Sequence, residues 1–283
     1  RLGQFDRAVV DQARAIYLDP SDATAFYGRG NAYYLSGEND LAIADYDAAI
    51  AIDPSYAFAY NNRGSAYGGK GDLEKAIANY NEAVRLQPKD PLAYNNRAFT
   101  LLIAGEYARA IADYDSAIRL VPFFPVATFN RGRSRYHSGD YEGALADFES
   151  MLAVEPQDSF AVIWAYLARR RLDMADAAER FDAESKDLDF EQWPGQIVQM
   201  FTGEVHPEMV LEIADESEPA VKNERTCEAT FLVGEYLLLA EKQTSAAAAA
   251  FTRVTNSCPP QFLEHRAARA ELSRILSTAQ EGF

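Results

Sequence analysis

A 34-residue period runs through the first half of the chain and constrains its fold more than any other feature. Gly30, Gly64 and Gly132 stand one or two periods apart, with Ala98 at the intermediate step. Ala42, Ala76, Ala110 and Ala144 follow the same step. So do Tyr46, Tyr80, Tyr114 and Phe148, and then Pro54, Pro88, Pro122 and Pro156. In the first unit the spacing predicts a helix over residues 25–36, a turn at Gly37-Glu38-Asn39 and a second helix over 40–52. Small residues at Gly30 and Ala42 let the two helices approach, and Tyr46 fills the space between them with a large ring. Asp53-Pro54 stops the second helix, because proline cannot continue it and disfavours helix in the residue before. Each unit carries apolar residues on more than one face, so it must stack on a neighbour to bury them.

Gly, Ala, aromatic and Pro in that order at period 34 resemble the tetratricopeptide repeat, TPR. The resemblance implies an all-α fold, a right-handed α-solenoid of helix hairpins that presents a surface to something else. The register predicts residues 1–22 as the second half of a repeat and four repeats at 23–56, 57–90, 91–124 and 125–158. A divergent helical segment at 159–226, a degenerate hairpin at 227–260 and a capping helix with tail at 261–283 complete the chain. Gly3, Phe5, Ala8, Ala15 and Pro20 match a second half-repeat, so a piece is expected to precede Arg1. The helix over 5–17 is then expected to show an uncovered apolar face, a candidate for self-association. In the capping helix, Leu263, Ala267, Ala270, Leu272 and Leu276 are expected to face inward.

Composition excludes several partners. The net charge of −16 argues against nucleic acid, which needs a basic footprint, and against anionic membrane surfaces. No apolar run approaches the roughly 20 residues that span a bilayer. Glu204, Glu208, Glu212, Asp215, Glu216 and Glu218 have no Lys or Arg among them. They read as a solvated face or as a docking site for a basic partner.

Cys227 opens the degenerate hairpin and Cys258 follows its second helix. Gly234 and Ala246 take the small positions there, and Phe251 falls one residue late. In an antiparallel pair the start of the first helix lies beside the end of the second, so a Cys227–Cys258 disulfide is geometrically reasonable. It would imply an oxidising compartment; the alternative is two buried free thiols.

The C-terminal half also resembles the NlpI-like TPR lipoproteins of Gram-negative bacteria. The resemblance sits in IWAYLARRRLD (residues 163–173), EQW (191–193), IVQMFTGEV (197–205), FLVGEYLLL (231–239) and FLEHRAARAEL (262–272). It implies an exported, periplasmic or outer-membrane-anchored homodimeric adaptor that brings cell-wall hydrolases and a processing protease together. No lipobox cysteine is visible. A cytoplasmic location, a regulatory TPR domain of a larger enzyme, and an assembly factor for a surface or secretion complex remain the alternatives.

Little in the chain marks catalysis or cofactors. Residues 64–70 (GSAYGGK) have phosphate-loop spacing, but Gly71 replaces the Ser or Thr that would hold magnesium, and no strand precedes it. His137, in an inter-helix turn, His206 and His265 share no metal-ligand spacing. No carboxylates stand out as an acid/base pair. The reading is a non-enzyme with no cofactor and no metal.

The repeat register instead points to a ligand-facing surface. The sixth position is Gly28, Asn62, Asn96 and Asn130, which TPR folds turn into the groove. Asn can donate to and accept from a peptide backbone. The fifth position holds Tyr27, Asn61, Asn95 and Phe129; the ninth holds Asn31, Ser65, Phe99 and Arg133; Tyr34 and Tyr136 occupy the twelfth. These residues are expected to contact peptide, unless the asparagines only tie adjacent helices together. The carboxylate clamp of chaperone-binding TPRs is missing: Asn31 and Asn62 fit it, but Tyr27, Leu92 and Asn96 replace its cations. The seventh position is Arg29, Arg63, Arg97 and Arg131, with Asp45, Asn79, Asp113 and Asp147 sixteen residues later. These are expected to be interhelical ion pairs, Arg63–Asn79 being the neutral exception.

Overall fold

The computed structural model describes residues 2–281, and among them it is all-helical, with sixteen α-helices and no strand. α1 (Leu2–Leu18) precedes four hairpins: α2 (Ala23–Leu35) with α3 (Asn39–Ile52), α4 (Ala57–Gly69) with α5 (Leu73–Leu86), α6 (Pro91–Ile103) with α7 (Tyr107–Leu120), and α8 (Pro125–Ser138) with α9 (Tyr141–Leu152). α10 (Ser159–Arg171), α11 (Ala177–Ser185), α12 (Gly195–Thr202) and α13 (Pro207–Asp215) follow. The hairpin α14 (Lys222–Leu239) with α15 (Thr244–Ser257), and then α16 (Leu263–Glu281), end the chain.

Three of the four repeat hairpins close where the first helix offers no side chain, and the third places the buried Ala98 at that step. A Cβ built on Gly30 would lie 2.8 Å from the Tyr46 ring, on Gly64 2.9 Å from Tyr80, and on Gly132 2.6 Å from Phe148. These rings are buried. Gly37, Gly71, Gly105 and Gly139 make the inter-helix turns with φ between 75° and 91°, a conformation that costs glycine nothing. Asp22, Asp90 and Asp158 then cap the next first helices, accepting from amides of the opening turn.

The degenerate hairpin keeps this contact with its register shifted. A Cβ on Gly234 would sit 2.5 Å from Phe251. Ala247, fully buried, takes the small position, and Ala246 does not. The turn between α14 and α15 is one residue longer than that between α2 and α3, with Lys242 at φ 54°. That extra residue moves Ala247 and Phe251 together and preserves their spacing.

The chain divides into two compact units. The first runs to Ala104 and includes residues 112–124; the second takes residues 105–111 and everything from Pro125 onward. The fourth repeat therefore packs with the divergent half, although the 34-residue register continues to residue 158. The second unit shares one continuous core around Phe148, Trp164, Phe181, Phe231 and Phe251.

Two expectations about helix faces meet different outcomes. In α1, Val10, Tyr17 and Leu18 are exposed. In α16, Leu263 and Ala267 face inward, but Leu276 is 64% exposed while Ala268 and Glu271 are fully buried. The inward stripe runs through Glu271 because Arg171 pairs with it there.

Gly132→Val should destabilise the protein by about 1–3 kcal/mol, since the new methyls must displace the buried Phe148 ring. Thermal or urea unfolding measures the loss.

Candidate functional site

On a helix, residues three, four and seven apart share one face. In the first unit this gathers Tyr27, Asn31, Tyr34 and Leu35 on α2, Phe58, Asn61 and Ser65 on α4, and Leu92, Asn95 and Phe99 on α6. Four of these side chains are apolar and exposed: Leu35 at 61%, Phe58 at 47%, Leu92 at 56% and Phe99 at 43%. Leu35 and Phe58 escaped the sequence reading, and Leu92 entered it only as a missing clamp cation. The signal was present, as an apolar residue at the second position of successive repeats with no core role.

The asparagines between these rows bond to one another. Asn62 donates to the Tyr27 hydroxyl (3.0 Å) and to Asn31 Oδ1 (2.8 Å), which also accepts from the Tyr46 hydroxyl (2.8 Å). Asn61 donates to Asn62 Oδ1 (3.1 Å), Asn96 to Asn61 Oδ1 (3.2 Å), and Asn95 to Asn96 Oδ1 (3.3 Å). The amides thus form a relay from α6 through α4 to α2. Both N–H groups of Asn62 are committed within it, so Asn62 ties helices together. Asn61 and Asn96 each spend one N–H in the relay.

The seventh-position arginines clasp the hairpins shut. Arg29 meets Asp45 at 2.7 Å, Arg97 meets Asp113 at 2.6 Å and Arg131 meets Asp147 at 2.5 Å. Arg63 donates to Asn79 at 2.7 Å and also pairs with Asp47 of the preceding repeat. Arg29, Arg63 and Arg97 stand over Phe26, Tyr60 and Tyr94, 5.3–5.8 Å from the ring centres, a second use of the same cation.

In the second unit Val126, at the second position, stays exposed, but the rest of the corresponding face is filled by the chain itself. Phe129 packs on Phe148 and Phe160. Asn130 is buried. Arg133 donates to Glu264 of α16 at 2.9 Å and stands over Trp164. Tyr136 is fully buried and donates to Glu235 at 2.8 Å. The expectation that Phe129, Asn130, Arg133 and Tyr136 contact peptide is corrected here, because α10, α14 and α16 occupy that space. His137 is likewise buried, in the last turn of α8 and not in a turn between helices, against Trp164 and Phe231. Burial holds its imidazole well below the usual range, and so neutral.

A buried ionic network fastens α16. Arg171 donates to Tyr136 (3.0 Å), Glu235 (2.9 Å) and Glu271 (2.8 Å). Arg274 pairs with Glu271 and donates to the His137 carbonyl at 2.9 Å. Burial pushes Glu235 up to about 7, with Arg171 opposing the shift. Its folded-state value exceeds its unfolded one, so its stabilising share is complete below pH about 4.5 and is lost as pH rises through 7.

The cysteines lie with Cα atoms 5.8 Å apart, and the structure joins their sulfurs. His265 Nδ1 lies 3.0 Å from the Cys258 carbonyl oxygen. His206 caps α13 through its own ring nitrogen. Among the described residues no cluster of His, Cys, Asp or Glu could hold a metal. Gly64 of the phosphate-loop-like stretch is explained by its contact with Tyr80. No helix among the described residues is long and apolar enough to cross a membrane.

Stacked helix hairpins with an open side-chain face define a repeat scaffold. The TPR family models match residues 1–37, 30–71 and 69–103 as TPR repeat and 100–162 as tetratricopeptide repeat; the chain belongs to the tetratricopeptide repeat proteins. Similar solved structures share the fold. A TPR protein from Parabacteroides merdae is 20% identical over 88% of this chain and 98% of its own (TM-score 0.60). YrrB, described as a TPR protein with an unusual peptide-binding site, is 20% identical over 69% of this chain and 98% of its own (TM-score 0.59). PilW, described as a type IV pilus biogenesis factor, is 23% identical over 69% of this chain and 91% of its own (TM-score 0.60).

Asn62→Ala should cost about 1–2 kcal/mol of stability, because it leaves Tyr27 and Asn31 without their donor; the unfolding midpoint reports it. Wild type should lose stability as pH rises from 6 to 8, because Glu235, its carboxyl pushed up by burial, must then be held ionised in the core. Glu235→Gln should shrink that slope in paired denaturant titrations.

Proposed function

We propose that the protein is a non-catalytic scaffold that holds extended segments of partner proteins on the first-unit face. The observation that carries this reading is the exposed apolar row of Phe58, Leu92 and Phe99, with Leu35 and the rings of Tyr27 and Tyr34 beside it. A row of exposed apolar side chains on rigid helices is what a peptide-binding surface requires. The relay keeps that surface in shape and leaves one N–H on the half-buried Asn96 for a peptide carbonyl. No cation replaces the missing clamp at Tyr27, Leu92 and Asn96, which favours ligands with apolar side chains over acidic C-termini.

The Cys227–Cys258 pair supports residence in an oxidising compartment. With the NlpI-like segments of the C-terminal half, it favours a periplasmic or outer-membrane-anchored adaptor for cell-wall hydrolases or proteases. The exposed face of α1, with Val10, Tyr17 and Leu18, supports self-association as a homodimer.

The triple change Phe58→Ser, Leu92→Ser and Phe99→Ser should abolish capture of native envelope partners while the helical circular dichroism stays unchanged. Full partner recovery by that variant would move the site elsewhere. Intact mass without reductant should be lighter by two hydrogens than the reduced form, and two alkylatable thiols in the exported protein would contradict the oxidised compartment.

A further inference from the structure

The hairpin α14–α15 breaks the rule that clasps the other four. Its seventh position is Val233, where the earlier repeats carry Arg29, Arg63, Arg97 and Arg131. Once the one-residue register shift is applied, the partner position is Ala250, where they carry Asp45, Asn79, Asp113 and Asp147. A guanidinium and its acceptor are thus replaced by two small apolar side chains. Beside them lies a cleft of about 520 Å³, walled by Leu211, Val233, Tyr236, Leu237, Ala249 and Ala250. That volume lies within the range of ligand-binding clefts.

The rim adds a sign. Glu208 and Glu241 border the cleft, with Arg253 as the cation of its lining. From Glu208 an exposed acidic strip continues through Glu212, Asp215, Glu216 and Glu218. Lys222 pairs with Asp215 at 3.0 Å, His206 Nδ1 lies 3.8 Å from Glu208, and every carboxylate of the strip is exposed. An apolar cleft beside a row of carboxylates repels anionic ligands and complements cationic ones.

We propose that this cleft docks a basic peptide segment of a partner protein. One bulky apolar side chain of that segment sits between Val233, Leu237 and Ala250, and flanking Lys or Arg residues lie along the Glu208–Glu212 strip. The site is independent of the first-unit face: it lies in the second unit and selects charge, which the first-unit face does not.

The test uses a fluorescein-labelled synthetic peptide of Lys and Arg residues around one central Trp, read by anisotropy against the full chain. Trp→Ala in the peptide, or Gln for its cations, should each weaken binding about tenfold or more, the scale of an interface anchor. Ala249→Phe, which fills the cleft from its rim, should do the same. So should the pair Val233→Arg with Ala250→Asp, which rebuilds the clasp of the other repeats. Having both variants guards against one failing to fold, and melting curves identify which is native. Glu208→Gln with Glu212→Gln should weaken binding and flatten its salt dependence. Unchanged affinity in a folded, cleft-filled variant, or equal binding of the Trp→Ala peptide, would overturn the proposal in favour of diffuse attraction to an acidic surface. A dimer that cleft filling abolishes, with no peptide binding, would overturn it in favour of a second copy of the chain. Loss of peptide binding in the Phe58/Leu92/Phe99 variant would place the peptide on the first unit and sink this inference while leaving the proposed function standing.

Discussion

The fold depends on one contact made repeatedly, an aromatic ring pressed onto a helix backbone that has no side chain to offer. Gly30 with Tyr46, Gly64 with Tyr80, Gly132 with Phe148 and Gly234 with Phe251 are the same contact. It fixes the separation of the two helices in those four hairpins, and the third repeat comes closest to it with Ala98. That separation brings the seventh-position arginine within hydrogen-bonding distance of a carboxylate sixteen residues later, and it aligns the first helices so that their asparagines meet. A larger side chain at the glycine would disturb the packing, the clasp and the relay together.

Beyond the second position, which is exposed in both, the two units use the same repeat positions for opposite ends. In the first, the second and ninth positions leave Phe58, Leu92 and Phe99 exposed. In the second, Arg133 and Tyr136 at the ninth and twelfth positions are consumed by Glu264, Glu235 and Arg171. The chain supplies its own occupant, α16, fastened by buried charges. Such networks are costly to bury and costly to break once formed, so that face is committed to structure, while the first-unit face keeps its apolar side chains exposed.

Much of this was legible in the sequence because it recurs. The period located each hairpin to within a few residues, and the sixteen-residue step paired Arg29 with Asp45, Arg97 with Asp113 and Arg131 with Asp147. What recurs locally could not reveal what meets over long separations. Nothing near Tyr136 announces Glu235, which lies 99 residues away, or Glu271 beside Arg171. The inward side of α16 was misread for the same reason: Leu276 fits an apolar stripe, yet Arg171 selects Glu271. The asparagines were recognised, but their use was decided by geometry, since an amide that faces a groove and one that bonds its neighbour share one sequence pattern. The shifted register of α15 hid Ala247 behind Ala246 until the longer turn was seen.

Residue-level covalent footprinting of the native protein tests the central claim most directly, because it compares equivalent repeat positions in one sample. The account predicts rapid carbene labelling of Phe58, Leu92 and Phe99, and protection of Tyr136 and Trp164 until the protein is denatured. Labelling of Tyr136 under native conditions at a rate comparable with Phe99 would contradict it.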